Sequence, residues 1–223
     1  MARSEDGQDT LPTHLILVGL GKMEVSEDPE ATLRAFGIGS TVAVSAYDPV
    51  RMAGGMLHAM LPHNNMVTQA PTKFVDTGIR ALKEALLAMG LVEERLIWRF
   101  TGGGQVLGTA RADILSNIAR ENIASATDTA ARCGMAIFAC EVGGHKGRTA
   151  SLRMADGRLQ VCDSEGHCMD FEAPAPAACL AEEKAPDVRY EAGTPAVARA
   201  GPQQAGGPLI GDLTDGTPRE AAQ

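Results

Sequence analysis

The sequence predicts a single α/β domain. Its 223 residues, of which 44% are hydrophobic, are enough to bury one sizeable core. Strand-like apolar runs occur at TVAVSAY (41–47), RLIWRF (95–100) and MAIFACEV (135–142). The chain also contains two segments, 76–89 and 110–132, whose apolar residues recur with the period of a helix. Strands that alternate with helices are typical of α/β architecture.

Composition divides the chain into three parts. Residues 1–12 are polar, contain Gly and Pro and have no periodicity, so we expect a flexible N-terminal arm before a domain spanning 13–162. The remainder, 163–223, is rich in Ala, Pro and Gly and carries eleven of the 28 acidic residues but four of the 20 basic ones. Because such a segment cannot bury enough apolar surface to offset the entropy of ordering, we predict a disordered acidic tail.

Charge and cysteine usage exclude several classes of protein. The net charge is −8, and no basic stripe interleaved with aromatic residues indicates a nucleic-acid binder. No apolar run approaches the length of a membrane span, so we expect no membrane insertion and a soluble, cytoplasmic protein. The five cysteines have no framework spacing and are predicted to be reduced thiols. Cys162, His167 and Cys168 are too few for tetrahedral zinc, so we expect neither a metal nor a cofactor.

The first half of the domain is predicted to be rich in strands. HLILVGL (14–20) is typical of a buried strand, whereas the charged segment 22–36 around Pro29 is predicted to be a loop. The runs 41–47 and 54–61 are predicted to pair as neighbouring strands.

Turn and cap signals delimit the second half. The helix 76–89 is predicted to have Asp76 as its N-cap and to stop at Gly90. A glycine triplet follows RLIWRF, but the GK[ST] ending of a phosphate-binding loop is absent, so we predict a close approach between backbones instead. Residues 149–161 are predicted to form the final hairpin.

One stretch, 33–62, brings a hydroxyl and an imidazole within reach of each other. A glycine-spaced turn, GIGS, leads into the strand that Thr41 begins, and the second run of the pair carries His58. If the two runs are adjacent strands, Thr41 and His58 can face each other as a nucleophile and its base. The alternative is structural: β-propensity favours Thr41, and a lone histidine in an apolar run is commonly a core residue. Ser40 points to the opposite face of the strand and is a poor substitute nucleophile.

Several separated motifs, taken in this order, resemble one known family. The runs GLGKMEVSEDPEATLRAFGIGSTVAV and YDPVRMAGGMLHAMLP, followed by FTGGG and EVGGHKGR, resemble the CheD family of chemoreceptor glutamine deamidases over residues 15–161. The resemblance implies an α/β, CheD-like fold with a central β-sandwich flanked by helices. It also implies chemoreceptors as substrates and a CheC-like phosphatase as a further partner.

The resemblance implies a cysteine nucleophile, a histidine base and a third catalytic residue, a threonine. Here the histidine is His58, but the cysteine position holds Thr41 and the threonine position holds Ala35. Two functions therefore stay open. The chain is either a deamidase in which Thr41 is a hydroxyl nucleophile and His58 its base, or a catalytically impaired protein that docks on chemoreceptors or on a CheC-like phosphatase.

Three further groups are candidates for supporting roles. Backbone N–H groups of residues 39–41 and of the glycine triplet are hypothesised to hold the oxyanion that forms during amide hydrolysis. His145 and Arg148 are predicted to lie in a solvated turn, where Arg148 can help to orient an incoming peptide. Asn122, within IARENI, keeps the asparagine of the family's IGxRN-like motif.

Overall fold

The computed structural model of the protein describes residues 14–64, 70–106 and 114–174 and the backbone of 112–113 and 187–190. Within these ranges the chain forms eleven strands and two α-helices. The strands are β1 (His14–Leu17), β2 (Lys22–Ser26), β3 (Ala31–Ile38), β4 (Val42–Asp48), β5 (Ala53–Ala59), β6 (Ile97–Gly102), β7 (Ile137–Val142), β8 (Arg148–Arg153), β9 (Leu159–Asp163), β10 (Cys168–Phe171) and β11 (Asp187–Tyr190). The helices are α1 (Val75–Ala88) and α2 (Ala112–Arg132), and short 3-10 helices occur at Pro71–Lys73 and Glu93–Arg95. The predicted N-terminal arm, 1–12, and the tail segments 175–186 and 191–223 lie outside the described residues.

Two β-sheets form a sandwich. One sheet has five strands in the order β1-β3-β8-β9-β10, and the other has six in the order β11-β7-β6-β4-β5-β2. A core lies between them, to which the first sheet contributes Leu33, Leu152 and Val161 and the second Met56 and Ile97. The outer face of the six-stranded sheet forms a second core with α1 and α2. The predicted β-sandwich flanked by helices is confirmed.

β4 is buried on both faces because it lies inside the six-stranded sheet. Val42, Val44 and Ala46 pack in the core on the helix side, while Ala43 and Tyr47 pack in the core between the sheets. Successive side chains of a strand alternate between its faces, so a strand covered on both sides needs apolar residues at nearly every position. This requirement explains the continuous apolar run that predicts β4 from sequence.

The N-terminal elements differ from the prediction. β1 is not a buried strand but an edge of the five-stranded sheet, where Leu17 is 58% exposed. The charged segment 22–36 is not a loop, since it contains β2 and most of β3, joined by a turn at Pro29. β2 is an edge strand whose charged residues are exposed while Met23 and Val25 pack against the helix-side core. Because charged residues alternate with Met23 and Val25, the segment has the composition of a loop, and the sequence does not predict the strand.

α1 is confirmed as a helix, but its N-cap differs from the prediction. Phe74 is the N-cap, and Asp76 lies in the first turn, where its carboxylate accepts the Asn64 backbone N–H at 3.1 Å. A carboxylate in this turn interacts favourably with the helix dipole. Gly90 follows the helix with a φ of +80°, as expected for a glycine stop.

The sheets extend beyond residue 162, where composition predicts that the domain ends. β10 pairs antiparallel with β9, and Cys168 lies directly opposite Cys162. These two cysteines form a disulfide, so the prediction of reduced thiols is wrong for this pair, and neither is available as a metal ligand. β11, inside the predicted disordered tail, adds a parallel strand to the edge of β7. Composition does not predict either strand, because each is ordered by pairing with a neighbouring strand and not by its own residues.

Candidate active site

The chain crosses from one sheet to the other between β3 and β4. β3 belongs to the five-stranded sheet and β4 to the six-stranded sheet, so residues 39–41 span an end of the sandwich. The register of β3 shifts between Ala35 and Ile38, and Gly37 has a φ of +67° there. Glycine reaches a positive φ without strain, so this irregularity depends on Gly37. The crossing places Thr41 at the point where β4 begins.

Thr41 and His58 are close together, as predicted. β4 and β5 are antiparallel, with Ala43 opposite His58. Thr41 precedes Ala43 by two residues, so it lies on the same face of the sheet and is a diagonal neighbour of His58. The distance between Thr41 Oγ1 and His58 Nε2 is 2.9 Å, which is a hydrogen bond. His58 is 2% exposed, whereas Thr41 is half-buried and therefore partly accessible.

The surroundings of His58 favour its neutral form. Burial lowers the pKa of His58 below its usual value of 6.5, and a hydrogen bond with the Val18 backbone opposes that effect in part. Nε2 is the ring nitrogen that faces Thr41. In the neutral tautomer that leaves Nε2 unprotonated, this nitrogen can accept the proton of the Thr41 hydroxyl. Val18 is itself held in place, since its N–H donates to the Arg34 carbonyl at 2.8 Å.

The glycine triplet that follows β6 makes backbone contacts with the crossing segment. The N–H of Gly103 donates to the Thr41 carbonyl at 2.8 Å, and the N–H of Gly104 donates to the Gly39 carbonyl at 2.7 Å. A Cβ at Gly102 would lie 2.3 Å from the Thr41 carbonyl oxygen, so the predicted close approach is confirmed. The hypothesis that the triplet binds an oxyanion is wrong for Gly103 and Gly104, because their donors already have acceptors.

Other donors lie beside the Thr41 hydroxyl. Among the residues that the structure describes, no acceptor takes the backbone N–H groups of Ser40 and Thr41. An N–H group next to the attacking oxygen is where acyl-transfer enzymes bind the developing oxyanion. The expectation that residues 39–41 supply such donors stays a prediction.

Arg148 does not lie in a solvated turn. Its side chain is buried, its Nη2 lies 3.0 Å from Glu141 Oε1, and its Nη1 donates to the Gly143 carbonyl at 2.8 Å. Gly104 packs on this arrangement, since a Cβ there would lie 3.1 Å from Arg148 Nη1. Arg148 therefore supports the backbone beside the glycine triplet and is too buried to contact an incoming peptide. His145 is exposed, as predicted.

Ala35 and Asn122 occupy the two remaining positions that the motifs single out. Ala35 is fully buried in the core between the sheets, where it offers no hydroxyl. Asn122 is fully buried on α2, and its amide donates to the carbonyls of Ser40 and Met60. The sequence singles out Asn122 through the family motif alone, because its hydrogen-bond partners lie 82 and 62 residues away along the chain and no local pattern reveals them.

The contact with Val18 was also missed, and the sequence carries no signal for it. The backbone of Val18 reaches His58, so the identity of the side chain at position 18 does not reveal the contact.

Comparison with known proteins identifies the family. A family model described as CheD chemotactic sensory transduction matches residues 60–163. A probable chemoreceptor glutamine deamidase CheD from Caldanaerobacter subterraneus is 33% identical over 153 residues, which cover 68% of this chain and 94% of that protein. The chain belongs to the CheD family. Since the family model's match begins after His58, it does not include the Thr41–His58 pair.

Two more CheD relatives have similar coverage. The probable chemoreceptor glutamine deamidase CheD of Desulforamulus reducens is 35% identical over 149 residues, covering 66% of this chain and 89% of that protein. The chemoreceptor glutamine deamidase CheD of Thermotoga maritima is 31% identical over 145 residues, covering 65% of this chain and 89% of that protein. A solved structure of the Bacillus licheniformis hypothetical protein YfiH covers 47% of this chain with a TM-score of 0.28 and 16% identity, a likeness too weak to bear on the fold. Within the described residues, neither α-helix is both long and apolar enough to cross a membrane.

Proposed function

We propose that this CheD family member hydrolyses the side-chain amides of chemoreceptor glutamines, producing glutamate and ammonia. The observation that carries the proposal is the 2.9 Å contact between the Thr41 hydroxyl and Nε2 of the buried His58. The names of the relatives, chemoreceptor glutamine deamidases, supply the substrate. Chemoreceptors are then the partners, and the proposed location is the cytoplasm. A CheC-like phosphatase is a further proposed partner, which rests on the family resemblance.

The proposed hydrolysis has two stages. Thr41 Oγ1 attacks the carbon of the glutamine side-chain amide while His58 Nε2 takes the hydroxyl proton. The amide oxygen becomes an oxyanion beside the N–H groups of Ser40 and Thr41. His58 then returns the proton to the amide nitrogen, which leaves as ammonia, and an ester of Thr41 remains. Water, deprotonated by His58, attacks this ester, and His58 returns the proton to Thr41 Oγ1 as glutamate leaves.

A hydroxyl makes the first stage harder than a thiol does. A free cysteine has a pKa of about 8.5 and is partly thiolate at neutral pH, whereas an alcohol loses its proton only during attack. The side chain of Thr41 is stiff at χ1, but in the rotamer that it adopts the hydroxyl already faces the base. We therefore expect wild-type hydrolysis to be slow and Thr41→Cys to be faster by orders of magnitude.

The test combines chemoreceptor cytoplasmic fragments with mass spectrometry, because conversion of a glutamine amide to an acid adds about 1 Da. Wild-type protein is expected to convert the fragments slowly. Thr41→Val keeps the shape of the side chain and removes the hydroxyl, so it is expected to convert none, as is His58→Ala. Adding His58→Ala to Thr41→Cys should abolish the faster reaction.

Binding measured in parallel separates this proposal from the alternative. If wild-type protein retains the fragments in a pull-down without converting them while Thr41→Cys converts them, the chain is a binding protein in which the geometry of the site is intact. If Thr41→Cys binds the fragments and does not convert them even with Ala35→Thr, which restores the threonine that the resemblance implies, the Thr41–His58 pair is not a deamidase site.

A further inference from the structure

Asn122 joins the backbones of the two strands that carry Thr41 and His58. It lies on α2 and is fully buried. Its Nδ2 donates to the Ser40 carbonyl at 2.8 Å and to the Met60 carbonyl at 3.1 Å. Ser40 directly precedes Thr41, and Met60 follows His58 by two residues. One side chain on a distant helix therefore contacts both halves of the candidate site.

The two carbonyls lie where the pairing of β4 with β5 ends. The last pair of that ladder is Val42 opposite Ala59. Beyond it β5 leaves the sheet, because the N–H groups of Met60 and Leu61 donate to the Lys73 carbonyl at 2.9 and 3.1 Å. Thr41 lies just outside the ladder, so the ladder itself does not fix its distance from β5. The amide of Asn122 supplies the missing connection and satisfies two buried carbonyls.

α2 is well placed to act as a rigid support for this connection. One turn further along the helix, Ser125 Oγ donates to the Pro62 carbonyl at 2.6 Å. Ile123 packs on the glycine triplet, since a Cβ at Gly103 would lie 2.4 Å from its Cγ1. The helix is thus fixed both to the glycine loop and to the segment that follows β5.

We propose that Asn122 is a positioning residue, which holds the Thr41 hydroxyl at hydrogen-bonding distance from His58 by bridging the Ser40 and Met60 carbonyls. The inference rests on the proposed function, since it concerns the same nucleophile and base. A change of about 1 Å in the separation of two reacting groups is enough to reduce a rate strongly. Removing the bridge should therefore uncouple the pair while the fold persists.

The test uses a chemical probe, so that it does not depend on glutamine hydrolysis. In the full-length Thr41→Cys protein, the new thiol is alkylated with iodoacetamide over a range of pH, and the peptide that contains position 41 is quantified by mass spectrometry. A thiol that hands its proton to His58 reacts well below the pKa of about 8.5 of a free cysteine. We expect Asn122→Ala in this background to move the midpoint of the pH profile towards that of a free thiol. Alkylation at neutral pH should be slower by about tenfold, which corresponds to a shift of about one pH unit.

Ser125→Ala is the matched control, because it also removes a hydrogen bond between α2 and the segment after β5. We expect it to lower the melting temperature about as much as Asn122→Ala does and to move the pH profile much less, because Ser125 contacts neither the Ser40 nor the Met60 carbonyl. Asn122→Ser keeps one donor of the two and is expected to give an intermediate profile. It also replaces Asn122→Ala in the test if that variant does not fold.

His58→Ala in the Thr41→Cys background separates the two proposals. It should give the profile of a free thiol. If the pH profile instead stays unchanged in this variant, both the nucleophile–base pair and the role of Asn122 are wrong. If His58→Ala changes the profile while Asn122→Ala and Asn122→Ser leave it where Ser125→Ala does, Asn122 is a purely structural residue and this inference alone is wrong.

Discussion

At the scale of single residues, His58 combines two roles that the sequence presents as alternatives. It is buried like a core histidine, and yet its Nε2 contacts a partly accessible hydroxyl. Burial itself prepares it for the second role, because desolvation lowers its pKa and keeps the ring neutral. The hydrogen bond between Nε2 and the Thr41 hydroxyl aims the ring at the group that a base would deprotonate. A buried strand residue can therefore also serve as a base.

The lowered pKa of His58 predicts how stability depends on pH. The folded state binds its proton below the usual value of 6.5, whereas the unfolded chain binds it near that value. Between the two pKa values the unfolded state holds more protons, so the free energy of unfolding is fully retained above about pH 6.5 and falls as the pH decreases through the folded pKa. NMR titration of the His58 ring and urea unfolding at several pH values measure the two effects. His58→Gln does not titrate and should lose less stability over the same range, and an equal loss in both proteins would contradict the prediction.

The buried pair of Glu141 and Arg148 predicts a large effect on stability. Their side chains are 6% and 2% exposed, so Arg148→Met leaves a carboxylate buried without its partner. We expect this substitution to lower the free energy of unfolding by about 3–5 kcal/mol. Adding Glu141→Leu removes the second charge and should recover much of the loss, as measured by urea unfolding. Arg132→Met, which breaks an exposed pair with Asp128, is the control and should change little. A loss in the double variant as large as in Arg148→Met would contradict the argument.

At the scale of elements, a helix or strand is predicted well when its own residues or a neighbour in the chain reveal its packing. It is predicted poorly when its partners are distant in the chain. α2 was predicted within two residues of its start, because its own periodicity reports its buried face. The pairing of β4 with β5 was also accessible, since the two strands are neighbours in the chain, and it brought Thr41 to His58. The sequence does not predict three of the strands, β2, β10 and β11. Each is an edge strand that pairs with one neighbour only, and each is either half exposed or short, so its own residues carry little strand pattern. The contacts of Asn122 lie 82 and 62 residues away along the chain, so no local pattern could reveal them.

β11 predicts a specific change in hydrogen exchange. It pairs in parallel with β7, from Asp187 opposite Ala139 to Tyr190 opposite Val142. In such a ladder, alternate amides of β7 point to each of its two neighbours. A chain shortened to end at Pro174 should therefore lose protection at the alternate amides of β7 that face β11 and keep it at those that face β6. The control is a chain that ends at Tyr190, which should exchange like the full-length protein. Identical exchange in both shortened chains would mean that β11 does not pair in solution.

At the scale of the whole molecule, the six-stranded sheet is shared by two cores. Trp98 and Phe100 of β6 pack with the helices, while Ile97 of the same strand packs between the sheets. β4 and β5 divide their side chains in the same way. Neither core can lose its packing without disturbing strands on which the other depends. The candidate site lies where the chain passes between the two sheets, so its geometry depends on both cores.

This sharing predicts that the domain unfolds as one unit. Leu82 of α1 and Leu152 of β8 are fully buried in different cores, and Leu82→Ala and Leu152→Ala should each lower the free energy of unfolding by about 2–5 kcal/mol. Trp98, the single tryptophan, is 1% exposed in the helix-side core, so its fluorescence reports on that core, whereas far-ultraviolet circular dichroism reports on all strands and helices. In both variants we expect the two signals to give the same urea midpoint, because a shared sheet transmits the loss of either core to the other.

If Leu152→Ala instead loses part of its circular dichroism at low urea while Trp98 fluorescence stays native, the five-stranded sheet unfolds on its own. In that case the crossing at residues 39–41 joins two independent units, and the distance between Thr41 and His58 would depend on the six-stranded sheet alone.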